Sequence, residues 1–312
     1  MHAISPFPAI ISVDWGLSSF RCRLLDAGGT ILDSRQSSRG VRAVEGRDFR
    51  AALLTMVGDW IAAHPGTPLM LSGMIGSRLG WIEAPYVRCP AGLPEIASAL
   101  LPLDIAGLPR TFIVPGVEFQ TSERTDIMRG EECEILGCLG DPAARAALYL
   151  APGTHSKWIA VDGDRITGFT TAMTGELFAL LSTQSALAEM VSGTAVDAAS
   201  FAAGLMMARH AFARGGVLPL LFRIRSDAVL GRRRPPQSRG LLSGMLIGSE
   251  LAYGLSEHPQ DLGEPCIVGD DALSDHYQRA LAEGFGRASR RGPGAAAALG
   301  HLAIARHLGM TP

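Results

Sequence analysis

Residues 9–19 have the sequence Ala-Ile-Ile-Ser-Val-Asp-Trp-Gly-Leu-Ser-Ser, and this stretch decides the fold. Its first five residues, Ala9–Val13, are mostly apolar and β-branched, which predicts a buried strand. Asp14–Ser19 is polar and contains Gly16, which predicts a tight turn. The chain then continues with a strand, a turn and the beginning of a third strand at Phe20–Leu25, Asp26–Gly29 and Thr30–Asp33.

The same order of strands and turns recurs about half a chain later. Ala147–Leu150 predicts a strand, and Pro152–Lys157 (Pro-Gly-Thr-His-Ser-Lys) predicts a second glycine turn. Strand, turn and strand follow at Trp158–Val161, Asp162–Asp164 and Arg165–Thr170. In this alignment Gly16 falls on Gly153 and Ser19 on Ser156, which indicates an internal duplication.

The rest of the chain alternates between helical and strand patterns. Helices are predicted at Phe49–His64, Glu131–Leu139, Gly175–Val191, Ala195–Arg214, Leu241–Leu255, His276–Glu283 and Ala295–Leu308, and strands at Pro68–Ser72, Thr111–Val114 and Glu264–Val268. Arg232–Gly240 is predicted to be a solvated basic loop. The alternation predicts α/β layers in two similar lobes with a cleft between them. We expect lobes at residues 1–143 and 144–312, with the terminal helix free to pack back on the first.

Composition and charge favour a globular enzyme that acts on small molecules. The 312 residues are 47% hydrophobic and 19% charged, which suits two compact domains. A net charge of −2 gives no electrostatic reason to bind nucleic acid or an anionic membrane. The N-terminus lacks the pattern of a signal peptide, no run approaches the ~18 apolar residues of a membrane span, and the five scattered cysteines favour reduced thiols. These features predict a cytoplasmic protein; a homodimer is left open.

The two glycine turns are predicted to bind a polyphosphate. Backbone N–H groups of such turns make anion sites, here Gly16, Ser18 and Ser19 in one turn and Gly153, Thr154, His155, Ser156 and Lys157 in the other. Asp14 at the end of the first strand would hold Mg²⁺, which prefers carboxylates together with substrate phosphates. Lys157, the chain's one lysine, is expected to lie exposed and to contact phosphate as a compact charge.

Each turn alone is equally typical of an ordinary hairpin, and a biased composition also explains a single lysine. The pairing of the turns, with the lysine inside one of them, favours the phosphate-binding interpretation. Competing nucleotide motifs are missing: there is no Walker A sequence, and Gly292–Ala297 has no strand before it to make a dinucleotide fingerprint.

Seven strings together resemble the 2-dehydro-3-deoxygalactonokinases over nearly the whole chain. They are Val13–Ser19, Leu71–Arg78, Glu83–Tyr86, Met128–Glu132, Pro152–Trp158, Met173–Phe178 and Leu242–Gly248. The resemblance implies the sugar kinase and actin-like ATPase fold, two ribonuclease H-like lobes with ATP and Mg²⁺ in the cleft. It also implies phosphorylation of 2-dehydro-3-deoxy-D-galactonate to its 6-phosphate in galactonate catabolism. The resemblance implies adenosine contacts at Gly269 and Asp270. The sequence departs from the family here, because Val268–Asp271 contains acids where the family has a plainer glycine pair.

The resemblance also implies roles for particular side chains. A carboxylate near the start of the later helix of the first lobe should take the hydroxyl proton, which indicates Glu131 as the base and Glu132 as the second choice. Glu176, which also opens a helix, is the third. Acids in a first helical turn also complement the helix dipole without any catalytic role.

The substrate of this family is an anion, so an arginine should bind its carboxylate. Arg78, after a glycine loop, is the first choice and Arg129 the alternative. Further substrate contacts are expected from Ser72, Gly73, Met74, Gly76, Tyr86, Thr174 and Glu176. Two other functions stay open at this point: a kinase of the same fold for another sugar or sugar acid, and a non-catalytic actin-like nucleotide-binding module.

Overall fold

The computed structural model of the chain describes residues 7–258, 262–269 and 271–311. Its elements alternate between helix and strand, and the predicted α/β class is confirmed. Contacts between residues divide the chain into two compact units. The first contains the described residues up to Arg145, the segment Ala160–Phe169 and the described residues from Pro293 onward. The second contains Ala146–Ile159 and the described residues of Thr170–Gly292.

The strands of the described residues are short and are spread over both halves of the sequence. They are β1 (Pro8–Trp15), β2 (Phe20–Asp26), β3 (Ile31–Ser37), β4 (Leu69–Ser72), β5 (Tyr86–Arg88), β6 (Ala91–Gly92), β7 (Leu101–Leu103), β8 (Thr111–Ile113), β9 (Gly116–Gln120), β10 (Thr125–Met128), β11 (Leu148–Ala151), β12 (Ser156–Asp162), β13 (Arg165–Ala172), β14 (Cys266–Ile267) and β15 (Arg290–Arg291).

The α-helices of the described residues follow the strands along the chain. They are α1 (Phe49–Ala63), α2 (Leu93–Ser98), α3 (Glu131–Leu139), α4 (Thr174–Thr183), α5 (Ala198–Phe212), α6 (Leu218–Val229), α7 (Pro235–Glu257), α8 (Asp271–Arg279) and α9 (Ala296–His307).

The main sheet of the first unit has the strand order β3-β2-β1-β4-β8-β7. β1 is antiparallel to β2 and parallel to β4, with Asp14 opposite Ser72. Because parallel strands end at the same edge of a sheet, the turns after β1 and β4 begin side by side. Apolar side chains of β1 and α1, such as Val13 and Leu53, form the core beneath this edge.

Helix α3 is placed by close packing against the terminal helix α9. A Cβ added at Gly137 would lie 1.9 Å from the carbonyl oxygen of Ala296, and one at Gly300 would lie 2.0 Å from that of Cys133. The two backbones therefore touch, which no larger residue at these positions permits. His301 on α9 is buried, and its Nδ1 lies 2.7 Å from the Oγ of Ser12 on β1. The first turn of α3 is thereby held near the end of β1.

The second unit is built around β11, which is parallel to β14. The order β15-β14-β11-β12 runs through this part of its sheet. Helices α5 and α7 pack closely on each other, and Trp158, Phe201 and Leu251 are among the buried residues of the core. This packing leaves the connection between β11 and β12, residues 152–155, at one end of the sheet.

Several details of the predicted secondary structure are wrong. The predicted helix Gly175–Val191 ends at Thr183 and is followed by a separate 3-10 turn at Ala188–Val191. Helices α2 and α6 and the strands β5, β6, β7, β9, β10 and β15 were not predicted. β15 directly precedes Gly292, where no strand was expected, and α8 begins at Asp271 instead of His276. The predicted loop Arg232–Gly240 is largely helical, since α7 begins at Pro235. Proline suits the first helical turn because the N–H that it lacks has no partner there, and the side chain of Gln237 accepts from the N–H of Arg234 at 3.0 Å.

None of the helices in the described part of the chain combines the length and apolar character needed to cross a membrane.

Candidate active site

Asp14 is the penultimate residue of β1 in the first unit, and its side chain is 24% exposed. Its Oδ2 accepts a long hydrogen bond from Arg21 Nη1 at 3.4 Å. Burial raises the pKa of the Asp14 carboxyl, while the neighbouring guanidinium of Arg21 acts in the opposite direction. Arg21 was not among the predicted site residues, although its position opposite Asp14 on the paired strand makes the contact natural.

The turn after Asp14 is closed by its own backbone. The Gly16 N–H donates to the carbonyl of Ser19 at 2.8 Å, and the Val41 N–H donates to the carbonyl of Gly16 at 2.9 Å. Ser18 is exposed and Ser19 is half-buried. The turn is therefore braced from behind while its hydroxyl side chains remain accessible.

Two glycines bring three chain segments together next to Asp14. Gly73 follows β4 with φ +84°, and a Cβ there would lie 2.9 Å from the carbonyl oxygen of Trp15 and 3.3 Å from Asp14 Oδ1. Gly130 precedes α3 with φ +113°, and its Cβ would lie 3.2 Å from the Cα of Gly73. Only glycine tolerates these backbone conformations at such distances. The end of β1, the Gly73 loop and the start of α3 consequently form one small site.

The first turn of α3 carries three acids with different surroundings. Glu132 is fully buried, and its Oε2 accepts from the Gly130 N–H at 2.7 Å. Burial, together with the charge of Glu131, raises the pKa of Glu132 to about 8. Glu131 is half-buried and accepts from the Arg129 N–H at 3.1 Å. Burial and the charge of Asp14 also raise the pKa of Glu134 to about 8. Glu134 was missed, although it follows Glu131 at the spacing of one helix face.

Two of the predicted substrate residues of the first unit, Tyr86 and Gly76, lie against Arg129. Its guanidinium carbon lies 4.3 Å from the centre of the Tyr86 ring, and its Nη2 donates to the carbonyl of Ala84 at 2.8 Å. Its Nε and Nη1 are buried and have no hydrogen-bond partner among the described residues. A Cβ at Gly76 would lie 3.2 Å from Nη1. Met74 lies in the short 3-10 turn Gly73–Gly76, directly after the buried Ser72.

Arg78 has a different environment from Arg129. Its side chain is 87% exposed, and its Nε lies 3.1 Å from Glu83 Oε1. An exposed ion pair of this kind contributes little to stability and leaves the guanidinium hydrated.

In the second unit, the loop between β11 and β12 packs against the start of α4. The Gly153 N–H donates to Ser156 Oγ at 3.3 Å, and the Glu176 N–H donates to the carbonyl of Thr154 at 3.0 Å. His155 Nε2 lies 2.6 Å from Glu176 Oε2. Thr154 itself is exposed. Glu176 therefore lies beside this loop, in the second unit.

The expectation that Lys157 lies exposed on the loop is wrong. Its residue is only 4% exposed, because β12 already begins at Ser156 and turns the next side chain inward. The Nζ of Lys157 donates to the carbonyl of His155 at 3.0 Å, so its charge is held against the loop backbone.

A buried polar cluster behind this loop was not predicted. Thr174 and Ser156 are buried there beside Glu250 of α7 and Tyr277 of α8. Burial raises the pKa of Glu250, while hydrogen bonds from Thr174, Tyr277, Trp158 and Ser156 oppose that change. A lone acid within the apolar helix 241–255 is the sequence signal for such a cluster, since a buried charge needs partners.

Of the two predicted adenosine contacts, Gly269 lies among the described residues. Gly269 follows β14 with φ +99°, and the Val268 N–H before it donates to the carbonyl of Leu150 at 2.9 Å. Asp270 lies outside the described residues.

Comparisons with known proteins found relatives that match most of the chain. The sequence profile of a family described as 2-keto-3-deoxy-galactonokinase matches residues 14–304. The chain is 36% identical to a probable 2-dehydro-3-deoxygalactonokinase of Rhizobium meliloti, over 86% of this chain and 88% of the relative. It is 34% identical to the 2-dehydro-3-deoxygalactonokinase of Escherichia coli, over 87% and 88%. A crystal structure from Sinorhizobium meliloti, assigned to the same enzymes, is 33% identical with a TM-score of 0.85 and covers 96% of this chain and 99% of its own.

Proposed function

The chain belongs to the 2-keto-3-deoxy-galactonokinase family, and we propose that it transfers the γ-phosphoryl group of ATP to the C6 hydroxyl of 2-dehydro-3-deoxy-D-galactonate. It is a kinase, a phosphotransferase with an alcohol as acceptor. Catalysis of this reaction rests on positioning, on neutralising phosphate charge and on removing the proton of the hydroxyl. Each of these tasks can be assigned to residues of the chain.

The observation that carries the choice of an acidic substrate is that two of the three guanidinium nitrogens of Arg129 have no acceptor among the described residues. Buried polar groups are nearly always hydrogen-bonded, so two buried donor nitrogens without a partner indicate a place for an acceptor. A carboxylate suits a guanidinium best, because both charge and geometry match. Arg129, rather than the exposed Arg78, is therefore our choice for binding the carboxylate of the sugar acid. Tyr86 and Gly76 would shape the surroundings of that carboxylate.

Asp14 fits the role of a Mg²⁺ ligand. Its carboxylate is half-buried and offers a hard oxygen ligand. The space beside Oδ1 is open because residue 73 is glycine, and a Cβ at that position would lie 3.3 Å from Oδ1. Mg²⁺ is commonly bound through one or two carboxylates plus substrate phosphates, so a single acid here is sufficient. When bound, the ion supplies charge neutralisation for the phosphate groups.

Glu131 is our choice for the general base. Its carboxylate is half-buried, and its contact with the Arg129 N–H joins it to the residue that would bind the substrate. Glu132 is fully buried, and its carboxylate accepts a hydrogen bond from the Gly130 N–H. This environment suits a structural role at the start of α3. Glu131 would accept the proton of the substrate hydroxyl as the phosphoryl group is transferred.

The phosphate groups of ATP are assigned to the turn Gly16–Ser19 and to the loop Gly153–Lys157. The N–H groups of Gly16 and Gly153 already donate within their own turns, so the other backbone N–H groups and the charge of Lys157 would contact phosphate. The adenosine contacts at Gly269 and Asp270 and a cytoplasmic location stay predictions. Contact of Glu176 and Thr174 with the substrate also stays a prediction.

The function is tested by measuring ADP release by the purified protein with each of two acceptors and without any acceptor. We expect turnover with 2-dehydro-3-deoxy-D-galactonate, far less with the matching neutral sugar, and none without acceptor. Two-dimensional ³¹P–¹H NMR of the product should couple phosphorus to the C6 protons. Equal turnover with the acid and the neutral sugar would contradict the role of an anion-binding arginine. ADP release that ignores the acceptor would favour an actin-like ATPase.

A further inference from the structure

A chain of buried hydrogen bonds runs from the loop Gly153–Lys157 into the interior of the second unit. The Gly153 N–H lies 3.3 Å from Ser156 Oγ, and Ser156 Oγ lies 3.2 Å from the hydroxyl of Tyr277. That hydroxyl lies 2.6 Å from Glu250 Oε2. Trp158 Nε1 reaches the other oxygen, Oε1, of Glu250 at 3.2 Å. Ser156, Tyr277 and Trp158 are at most 1% exposed, and Glu250 is 6% exposed.

The direction of these hydrogen bonds follows from what each group can donate. The indole of Trp158 only donates, and the hydroxyl of Tyr277 donates to Glu250, so both carboxylate oxygens act as acceptors. Tyr277 has then used its single proton. Tyr277 can therefore only accept from Ser156, and Glu250 also lies within hydrogen-bond reach of the serine, so the single proton of Ser156 is donated to one of these two buried groups. The lone pairs of Ser156 are left to accept from the Gly153 N–H.

Because its proton is donated inward, the hydroxyl of Ser156 supports the loop and does not bind phosphate. The one proton of Ser156 points into the core, and none is left for a phosphate oxygen. The hydroxyl instead ties the Gly153 N–H to the interior and so fixes the spacing between the two ends of the loop. A Cβ at Gly175 would lie 2.4 Å from the carbonyl oxygen of Gly153, so α4 holds the outer side of the same loop.

We propose that Glu250 and Tyr277 are positioning residues for ATP: through the hydroxyl of Ser156 they hold the loop Gly153–Lys157 in the shape that receives the phosphate groups of a nucleoside triphosphate. Ser156 is then an internal support of the loop, and contacts with phosphate come from backbone N–H groups, Thr154 and Lys157. The inference rests on the proposed phosphate role of this loop.

A double-mutant cycle on Tyr277→Phe and Ser156→Ala tests the inference. Each removes one hydroxyl and keeps the rest of the side chain compatible with the core. We expect Tyr277→Phe to raise KM for ATP about five- to tenfold, the effect of losing one buried hydrogen bond, with KM for the sugar acid unchanged. The double variant should show no further rise beyond Ser156→Ala, because both substitutions interrupt the same connection. Additive effects, or equal changes in both KM values, would overturn the proposal.

Tyr149→Phe is the matched control. Tyr149 is also fully buried in the second unit, and its hydroxyl accepts from the Ala146 N–H at 3.0 Å, outside the chain described above. It should lose a similar amount of stability, measured as the midpoint of thermal unfolding, but keep KM for ATP. A rise in KM for ATP in Tyr149→Phe equal to that in Tyr277→Phe would mean general softening and would overturn the proposal. Glu250→Gln, which keeps the shape of the acid but only one acceptor oxygen, provides a second variant with the same expected pattern.

Lys157→Met separates this inference from the proposed function. If Lys157→Met weakens the use of ATP and Tyr277→Phe does not, the positioning role is wrong and the phosphate role of the loop stands. If neither variant changes KM for ATP, the phosphate role itself fails.

Discussion

The guanidinium carbon of Arg129 lies 4.3 Å from the centre of the Tyr86 ring. Stacking on the ring orients the plane of the guanidinium. The hydrogen bond from Nη2 to the carbonyl of Ala84 restricts rotation within that plane. The Nε and Nη1 of Arg129 are buried and find no acceptor within the part of the chain that the structure describes. A preorganised cation of this kind binds an anion without the cost of ordering a long side chain.

Substitution of Arg129 by lysine tests this arrangement. Lysine keeps the charge but loses the planar donors and the stacking, so KM for the sugar acid should rise about ten- to a hundredfold, with KM for ATP nearly unchanged. Arg78→Lys is the matched control and should change either constant less than about twofold, in line with the small contribution of exposed ion pairs. Steady-state kinetics with each substrate varied in turn give both constants. A larger effect at Arg78 than at Arg129 would reverse the assignment.

Glutamine substitutions separate the two adjacent acids of α3. Glu131→Gln cannot accept a proton, so kcat should fall about 10²–10⁴-fold while both substrates still bind. Glu132→Gln should lower kcat only a few-fold, because with a pKa of about 8 this group is mostly protonated at neutral pH and glutamine resembles the neutral acid. Single-turnover kinetics distinguish the chemical step from binding. If Glu132→Gln is inactive and Glu131→Gln active, the roles are exchanged; if both are active, Glu176→Gln is the next variant to measure.

Asp14→Asn should remove most of the Mg²⁺-dependent activity. The amide keeps the shape of the side chain but has no charge to offer a divalent cation, so saturation should require at least about tenfold more Mg²⁺. Titration of activity with MgCl₂ at fixed ATP measures the change. Asp104→Asn, at an exposed position, should follow the wild-type titration. An unchanged titration in Asp14→Asn would remove this residue from the metal site.

The stability of the protein should depend on pH through Glu132. Its pKa in the folded protein, about 8, is above the ordinary value of 4.5, so between these values the folded state holds a proton that the unfolded state has released. The free energy of unfolding contributed by this group therefore falls as pH rises through that window. Relative to wild type, Tm of Glu132→Gln should increase from pH 5 to pH 8, on the order of 5 °C. Glu123→Gln, at an exposed position, should show a constant difference from wild type, and a flat difference for Glu132→Gln would contradict the buried proton.

The sequence predicts those features that depend on residues close together in the chain. The strand before Asp14, the two glycine turns and helix α3 follow from apolar runs, glycine positions and helical spacing. The start of α7 at Pro235 has a local signal too, since proline favours the first helical turn. The arginines before it indicate a solvated loop, and the two signals point in opposite directions. The choice of Asp14, Glu131 and the loop 153–157 as candidates likewise required only the order of residues and a resemblance.

What the side chains at the site can do was decided by tertiary structure. Spacing cannot distinguish Arg78 from Arg129, or Glu131 from Glu132, because exposure and hydrogen-bond partners arise from segments far apart in the chain. Lys157 became buried because β12 begins at Ser156, two residues before the predicted start at Trp158. The connection from Ser156 through Tyr277 to Glu250 joins residues that lie up to 121 positions apart in the chain. Sequence determines which groups are available, and packing determines which of them are desolvated, paired or left with an unused donor, because those properties depend on distance in space.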